Sequence, residues 1–419
     1  MLDIKYIRDH ADEVKENIKN RGLNVDVDEL LKLDKSRLEL LSEVEKLRNT
    51  KNKPSGKPTP TELTELKKVK EKEDKLSAEL DNVEVSYKAL LFAIPNTTHP
   101  DSPIGKDDSE NVEIRKVGKV PKFDFSPLDH VELGEKLGII DFEAGSKVTG
   151  AKFYFLKNEA VLLEQALINY GLDILQKEGF SLIATPDLAK TEIVNNMGYQ
   201  PRGPEAQIYN IEGGDLSLIG TAEITLGGLY AGEIIDEKKL PITLAGLSHC
   251  FRTEAGAYGR HSKGLYRVHQ FSKLEMFVFC KPEDSDKWHE KLVKLEEKIF
   301  AGLEIPYRVV DICTGDMGAV AYRKYDLEGW MPGRGDYGEI TSTSNCTDYQ
   351  ARNLGIKYRK ADGSSEYLHM LNGTGIAISR ALIVLLENNQ QADGSVKVPK
   401  VLQKYIGKSV IKLGGKDEG

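Results

Sequence analysis

Apolar residues first recur at helical spacing. Ile4, Ile7, Ala11, Val14 and Ile18 share one face and predict an amphipathic helix that ends near Arg21 and Gly22. Heptad periodicity follows. Leu30, Leu33, Arg37, Leu40, Val44 and Leu47 take the a and d positions of one helix. Leu66, Val69, Glu73, Leu76, Leu80, Val83, Tyr87, Leu90 and Ile94 take them in a second. The Pro/Gly-rich stretch 53–60 separates the two, which predicts an antiparallel helical hairpin over about 27–94 with its tip at 51–60. Each seam holds one charge, Arg37 and Glu73, eighteen residues to either side of Ser55. Counted from a turn centred there, the two are expected to face each other and to fix the register.

Pro, Asn and Ser crowd residues 95–118, which read as a linker that starts no new element. The domain boundary is placed at 105/106 within it. From about Leu128 the pattern is mixed α/β. Residues 159–178 read as a helix, 180–186 as a strand ended by proline, and 284–302 as a helix. Two alternating runs, 248–254 and 267–277, flank a polar loop containing glycine and predict a long hairpin. Near the end, 371–375 reads as a strand that turns through Gly373 and Gly375 into an apolar helix with Arg380 near its start.

Composition narrows the class. The 419 residues are 40% hydrophobic and 30% charged, as in soluble globular proteins, and too many for one ordinary core. No run of about 18 apolar residues occurs, so no membrane span is expected. The first residues carry no apolar signal core, and Cys250, Cys280, Cys313 and Cys346 form no Cys-x-x-Cys pair. A reducing, cytoplasmic location is expected, with neither a disulfide framework nor a zinc site. The net charge of −8 argues against general coating of nucleic acid, so any RNA contact needs segregated basic residues. Residues 46–75 supply them, with ten Lys/Arg against five Asp/Glu, and with Lys51, Lys53 and Lys57 at the tip.

The long hairpin carries the chemistry. Arg252, Glu254, Arg267 and Glu275 lie in or beside strands where one face is normally apolar. Read locally they are either a solvated hairpin or a sheet face holding a polyanion, with Arg for phosphate or carboxylate and Glu for a cation or amine. The run 251–254 (Phe-Arg-Thr-Glu) with its returning strand resembles motif 2 of the class II aminoacyl-tRNA synthetases, and Arg267 through Glu275 is similar to the seryl-tRNA synthetases. The helix, strand and Pro186 before it resemble motif 1. Thr221-Ala222-Glu223 resembles the family's serine-contacting element, 337–352 its metal and ATP strands, and 371–387 motif 3. The chain departs from the pattern at Gly220, where Pro is common, at His261 and Lys263, where Asp and Arg are common, and at Thr343, where Cys is common.

The resemblance implies an α+β fold, with a class II antiparallel sheet flanked by helices at 106–419 and an N-terminal helical domain with a coiled-coil arm at 1–105. It implies ATP-dependent attachment of L-serine to tRNA(Ser) through seryl-adenylate, and to selenocysteine tRNA where that is present. Arg252 is then expected to bridge the serine carboxylate and the α-phosphate, and Arg267 and Arg380 to meet phosphates. Glu254, Val268 and Phe271 are expected at the adenine end, with Thr253 beside them in the ATP site. Glu339, Ile340, Thr341 and Ser342 are expected to complete the ATP site, with Glu339 and Ser342 ligating Mg²⁺. Thr221, Ala222, Glu223, Arg252, Glu275, Asn372 and Thr374 are expected to bind serine. The tRNA long variable arm is expected to meet the basic tip, and a homodimer to form through the motif 1 region. His269 reads as a packed structural residue. Two other readings share these residues: a ligase that loads an amino acid on a carrier protein, and a non-catalytic RNA-binding relative.

Overall fold

A computed structural model of the chain describes residues 1–51, 59–199, 208–254 and 263–413. The chain forms two compact units, Met1–Thr97 and Thr98–Gly419. The division falls ahead of the expected 105/106. Residues 98–105 belong with the second unit because the backbone N–H of His99 donates to Tyr322 O and that of Thr314 donates to Pro103 O, each at 2.9 Å.

The first unit opens with α1 (Ile4–Asp9) and α2 (Ala11–Asn20), where the periodicity predicts one helix. His10 interrupts it with φ −131° and ψ 37°, its ring stacked on Tyr6 at 4.6 Å. Ile7, Val14 and Ile18 are buried as expected. The heptads form α3 (Val27–Lys51) and α4 (Pro60–Ala93). Leu30, Val44, Leu80, Tyr87 and Ile94 are buried in the seam.

The expected Arg37–Glu73 pair is not formed. Glu73 takes the Nε of Arg48 at 3.2 Å. Arg37 reaches Asp34 at 3.3 Å and lies 4.8 Å over the ring of Tyr87. Packing of the apolar seam sets the register, about a midpoint near residue 61 rather than Ser55. Arg37 is therefore about 16 Å down the helix from the level of Glu73. Asp34, nearly fully buried, also receives Arg8 at 2.6 Å. The basic-tip residues Lys53 and Lys57 lie outside the described residues.

The second unit is built on an eight-stranded sheet. Its strands are β1 (Val112–Val117), β2 (Ser181–Ala184), β3 (Ile242–Phe251), β4 (Gln270–Cys280), β5 (Tyr307–Asp311), β6 (Arg323–Met331), β7 (Asp336–Asn345) and β8 (His369–Ala377). Their order is β1-β5-β6-β7-β8-β4-β3-β2, antiparallel throughout except for the β2–β3 pair. β1 lies inside the stretch expected to be a linker. Its mostly exposed Val-Glu-Ile-Arg-Lys-Val sequence hides an edge strand among turn residues. Around the sheet lie α5 (His130–Leu137), α6 (Glu159–Lys177), α7 (Ala222–Gly228), α8 (Ser285–Gly302), α9 (Tyr349–Leu354) and α10 (Ile378–Asn389).

Side chains along β4 alternate between two cores. Leu274, Met276 and Val278 pack with Leu292 and Leu295 of α8. Phe277 and Phe279 pack on the other side with Ile224 of α7, Leu354 of α9 and Met370. Both faces of β4 are thus covered, and its Lys273 and Glu275 are held away from bulk water. β8 runs directly into α10 without the expected turn at the glycines. Gly373 and Gly375 instead permit close strand approach: a Cβ at Gly375 would lie 3.1 Å from Leu274 O.

Candidate active site

Sequence and register bring the polar strand positions into one cavity of about 500 Å³. Its first wall is the mouth of the β3–β4 hairpin. Beyond Phe251 the strands separate, but Arg252 N–H donates to His269 O at 2.9 Å and His269 Nδ1–H donates back to Arg252 O at 2.8 Å. His269 thus ties the hairpin's mouth together, half-buried and just outside the strand in which it is expected to pack. The guanidinium of Arg252 lies 5.3 Å from the ring centre of Phe271, and its Nε donates to Gly220 O at 3.2 Å. The glycine at 220 leaves that contact intact, since a proline carbonyl would accept the same bond. Glu254 sits at φ +47°, a region costly for a residue with a side chain, and accepts from Arg267 at 3.3 Å. Arg252, Glu254, Arg267, Val268 and Phe271 all line the cavity. Thr253 lies between them but is not part of the wall.

The floor is β7 and the start of α10. Glu339 and Ser342 are three residues apart, and in a flat strand they would point to opposite faces. A bulge resolves this. Leu327 pairs with Thr341 and Glu328 with Glu339, so Ile340 is the extra residue. Both oxygen-bearing side chains then line the cavity, as do Thr341 and Ile340, the latter also packed into the core. The hydroxyls of Thr341 and Thr343 donate to Glu296 of α8, Thr341 at 2.8 Å. This contact uses the hydroxyl at 343, where the family pattern commonly has Cys. Arg380 Nη1 pairs with Glu339 Oε1 at 2.7 Å and stacks 4.8 Å over Tyr266. Burial opposes the charge of Glu339, yet Arg380 and then Lys324 hold its carboxyl well below the usual range. Asp326, paired with Lys324 at 3.2 Å, is pushed the other way by burial.

The third region is acidic and deeply buried. Glu275, in β4, pairs with Lys273, two residues away on the same face. Glu223 accepts from Tyr199 Oη at 2.6 Å and from Gln350 Nε2 of α9 at 2.7 Å. Burial, and then the nearby charge of Glu275, push the Glu223 carboxyl upward. Asn372 and Thr374 complete this wall with Cys346, whose Sγ lies 3.6 Å from Asn372 Nδ2.

Two expected serine contacts are placed elsewhere. Thr221 caps α7 by accepting from Glu223 N at 3.2 Å, and Ala222 is packed in the core against β3. The reason is local: the helix begins there, so only Glu223 faces the cavity. Lys273, Tyr199, Tyr266 and Lys324 are not among the residues the sequence singles out, and Gln350 enters there only within the stretch 337–352. Strand alternation from Glu275 points to Lys273. Gln350 has no local signal, because it reaches Glu223 across 127 residues of sequence.

Among the described residues no cluster of three or more His, Cys, Asp or Glu side chains is arranged for a metal. Glu339 and Ser342 offer two hard oxygens. That fits Mg²⁺, which commonly takes one or two carboxylates and completes its shell with phosphate and water.

Residues 209–389 match the family described as tRNA synthetase class II core domain (G, H, P, S and T), and residues 1–98 match the seryl-tRNA synthetase N-terminal domain. The serine--tRNA ligase of Treponema denticola is 56% identical over 417 residues, covering 97% of this chain and 99% of that protein. Among solved structures, the chain is similar to the seryl-tRNA synthetase from Pyrococcus horikoshii complexed with ATP. The TM-score is 0.89 and the identity 41%, covering 99% of this chain and 100% of that one. It is also similar to the cytoplasmic serine-tRNA ligase from Naegleria fowleri in complex with AMP, with TM-score 0.86 and 33% identity over 99% of each chain.

Proposed function

The chain belongs to the seryl-tRNA synthetases, and from that premise we propose how its cavity attaches serine to tRNA(Ser). A serine carboxylate oxygen attacks the α-phosphorus of ATP, the bond to the bridging oxygen breaks, and pyrophosphate leaves. A ribose hydroxyl at the tRNA 3′ end then attacks the seryl carbonyl, and AMP leaves. Neither step needs a covalent enzyme intermediate; both depend on positioning and on stabilising charge.

Arg252 lines the cavity and is assigned to the serine carboxylate and the α-phosphate. Arg267 and Arg380 take phosphate oxygens, and Glu254, Val268 and Phe271 take the adenine end. Glu223 and Glu275, with Asn372 and Thr374, take serine. Glu339 and Ser342 would hold Mg²⁺, which would draw off phosphate charge when bound. The observation that carries this reading is the convergence of Arg252, Arg380, Glu339, Glu223 and Glu275 on one cavity.

The finer assignments have separate support. The basic stretch 46–75 supports contact between the N-terminal unit and the tRNA long variable arm. Exposed Val161 and Leu162 on α6, Leu182 on the edge strand β2, and Leu188 support a homodimer through that region. Four free, buried cysteines support a reducing, cytoplasmic setting. No helix of the described residues is long and apolar enough to cross a membrane. Serine-dependent ATP–pyrophosphate exchange followed by transfer to tRNA(Ser) tests the whole. Exchange without transfer would favour a carrier-protein ligase, and neither activity would refute the enzyme reading.

A further inference from the structure

The returning arm of the hairpin carries Arg267 and Val268, yet residues 263–269 lie outside any strand. Something other than sheet pairing must fix them. The contacts lead to His130, the buried first residue of α5. Its Nε2 accepts the backbone N–H of Leu265 at 3.1 Å, and its Nδ1 faces Glu387 Oε1 at 2.8 Å. A ring that accepts at Nε2 and donates at Nδ1 is a neutral imidazole in one defined tautomer.

Glu387 gathers further elements. The same oxygen accepts His130 N–H at 3.0 Å, and the other accepts Gly333 N–H at 2.8 Å. Gly333 lies in the turn from β6 into β7, the strand that carries Glu339. Glu387 itself sits on α10, seven residues after Arg380, an interval that returns to the same helix face. Tyr266, beside Leu265, lies under Arg380. Gly264, at φ +61°, seats the ring: a Cβ there would stand 2.2 Å from His130 Nε2. Lys263 pairs with Asp129 at the same junction.

We propose that His130 and Glu387 form a buried bracket that locks the hairpin's return to α10 and β7, making His130 a positioning residue for ATP. The proposal rests on the reading above that Arg267 and Val268 meet ATP. The test uses His130→Leu, His130→Gln and Glu387→Gln in the full chain. ATP–pyrophosphate exchange is read together with amide hydrogen exchange at Leu265.

In His130→Leu the Leu265 amide loses its acceptor and its protection, and the ATP KM rises about tenfold while the serine KM stays within about twofold. Gln places an amide oxygen near the lost Nε2, so His130→Gln recovers most of both losses. Glu387→Gln gives the same ATP-selective pattern if the leucine variant does not fold. Parallel rises in both KM values, an unaffected leucine variant, or a glutamine variant as damaged as the leucine one would overturn the bracket. Lost protection with an unmoved ATP KM would also overturn it. Arg267→Ala, measured alongside, then locates the error: an unchanged ATP KM in that variant places the fault in the ATP reading.

Discussion

Glu275→Gln separates recognition from folding. Glu275 is 1% exposed and Lys273 5%, and the two pair inside the cavity wall. Glutamine keeps the shape and one acceptor oxygen but removes the charge. A hydrogen bond to a charged acceptor contributes about 1.5–3 kcal/mol and a neutral one about 0.5–1.5, so the serine hydroxyl loses about 1–1.5 kcal/mol. That raises the serine KM roughly 5- to 13-fold, while the ATP KM stays near its original value because the proposed ATP contacts do not include Glu275. The same change leaves the Lys273 ammonium buried without its counter-charge, which costs about 3–5 kcal/mol of stability. Neutralising that lysine as well, in Lys273→Met/Glu275→Gln, should recover much of the stability but none of the serine affinity. The assays are exchange kinetics at varied serine and at varied ATP, and denaturant unfolding of all three proteins. Equal rises in both KM values would remove Glu275 from the serine site. A double variant no more stable than the single one would refute the pairing argument.

Deleting residues 35–87 and closing the hairpin lower down should leave serine-dependent exchange nearly intact and sharply reduce transfer to tRNA; lost exchange in a folded deletion would make the arm part of the catalytic unit. In the arm, Asp34→Ala should destabilise more than Glu73→Ala in denaturant melts, because Asp34 is buried beneath two arginines whereas Arg48, the partner of Glu73, is 58% exposed and such pairs contribute only about 0–1 kcal/mol. Burial pushes the Glu296 carboxyl well above its ordinary value near 4.5, so the folded state holds the extra proton and stability falls as pH rises from about 4.5 through the raised value. Glu296→Gln should therefore gain stability over the natural chain as pH increases from 5 to 8; a constant difference across that range would show that Glu296 does not titrate as a buried acid.

The elements most legible in the sequence were those fixed by periodicity. The heptad positions of α3 and α4, the helix 159–177 and the hairpin strands all follow from repeated apolar spacing. What escaped was axial offset. Spacing assigns Arg37 and Glu73 to a seam but not to a level along it, which the packing of both helices decides jointly. β1 escaped because an exposed edge strand has little apolar signature. In the site, charged residues within an apolar face announced themselves, as Arg252 and Glu275 did. Residues that act by holding others did not. His130 and Gln350 are unremarkable in sequence and acquire meaning only through partners more than 120 residues away. Thr221 and Ala222 show the converse: a motif names a neighbourhood, and helix geometry selects Glu223 from it.

The bulge at Ile340 means that the cavity edge proposed to face a cation is encoded by an interval. Glu339 and Ser342 share a face only because one residue lies outside the strand's alternation. A substitution at either position alters one ligand and leaves the other aimed. Removal of Ile340 would leave the two positions two apart in regular alternation and still on one face, whereas one added residue beside the retained bulge would turn one of the two away from the rest of the floor, with every side-chain type still present. The segment thus tolerates changes of identity better than an added residue, and single-residue insertions here should be far rarer among working descendants than replacements.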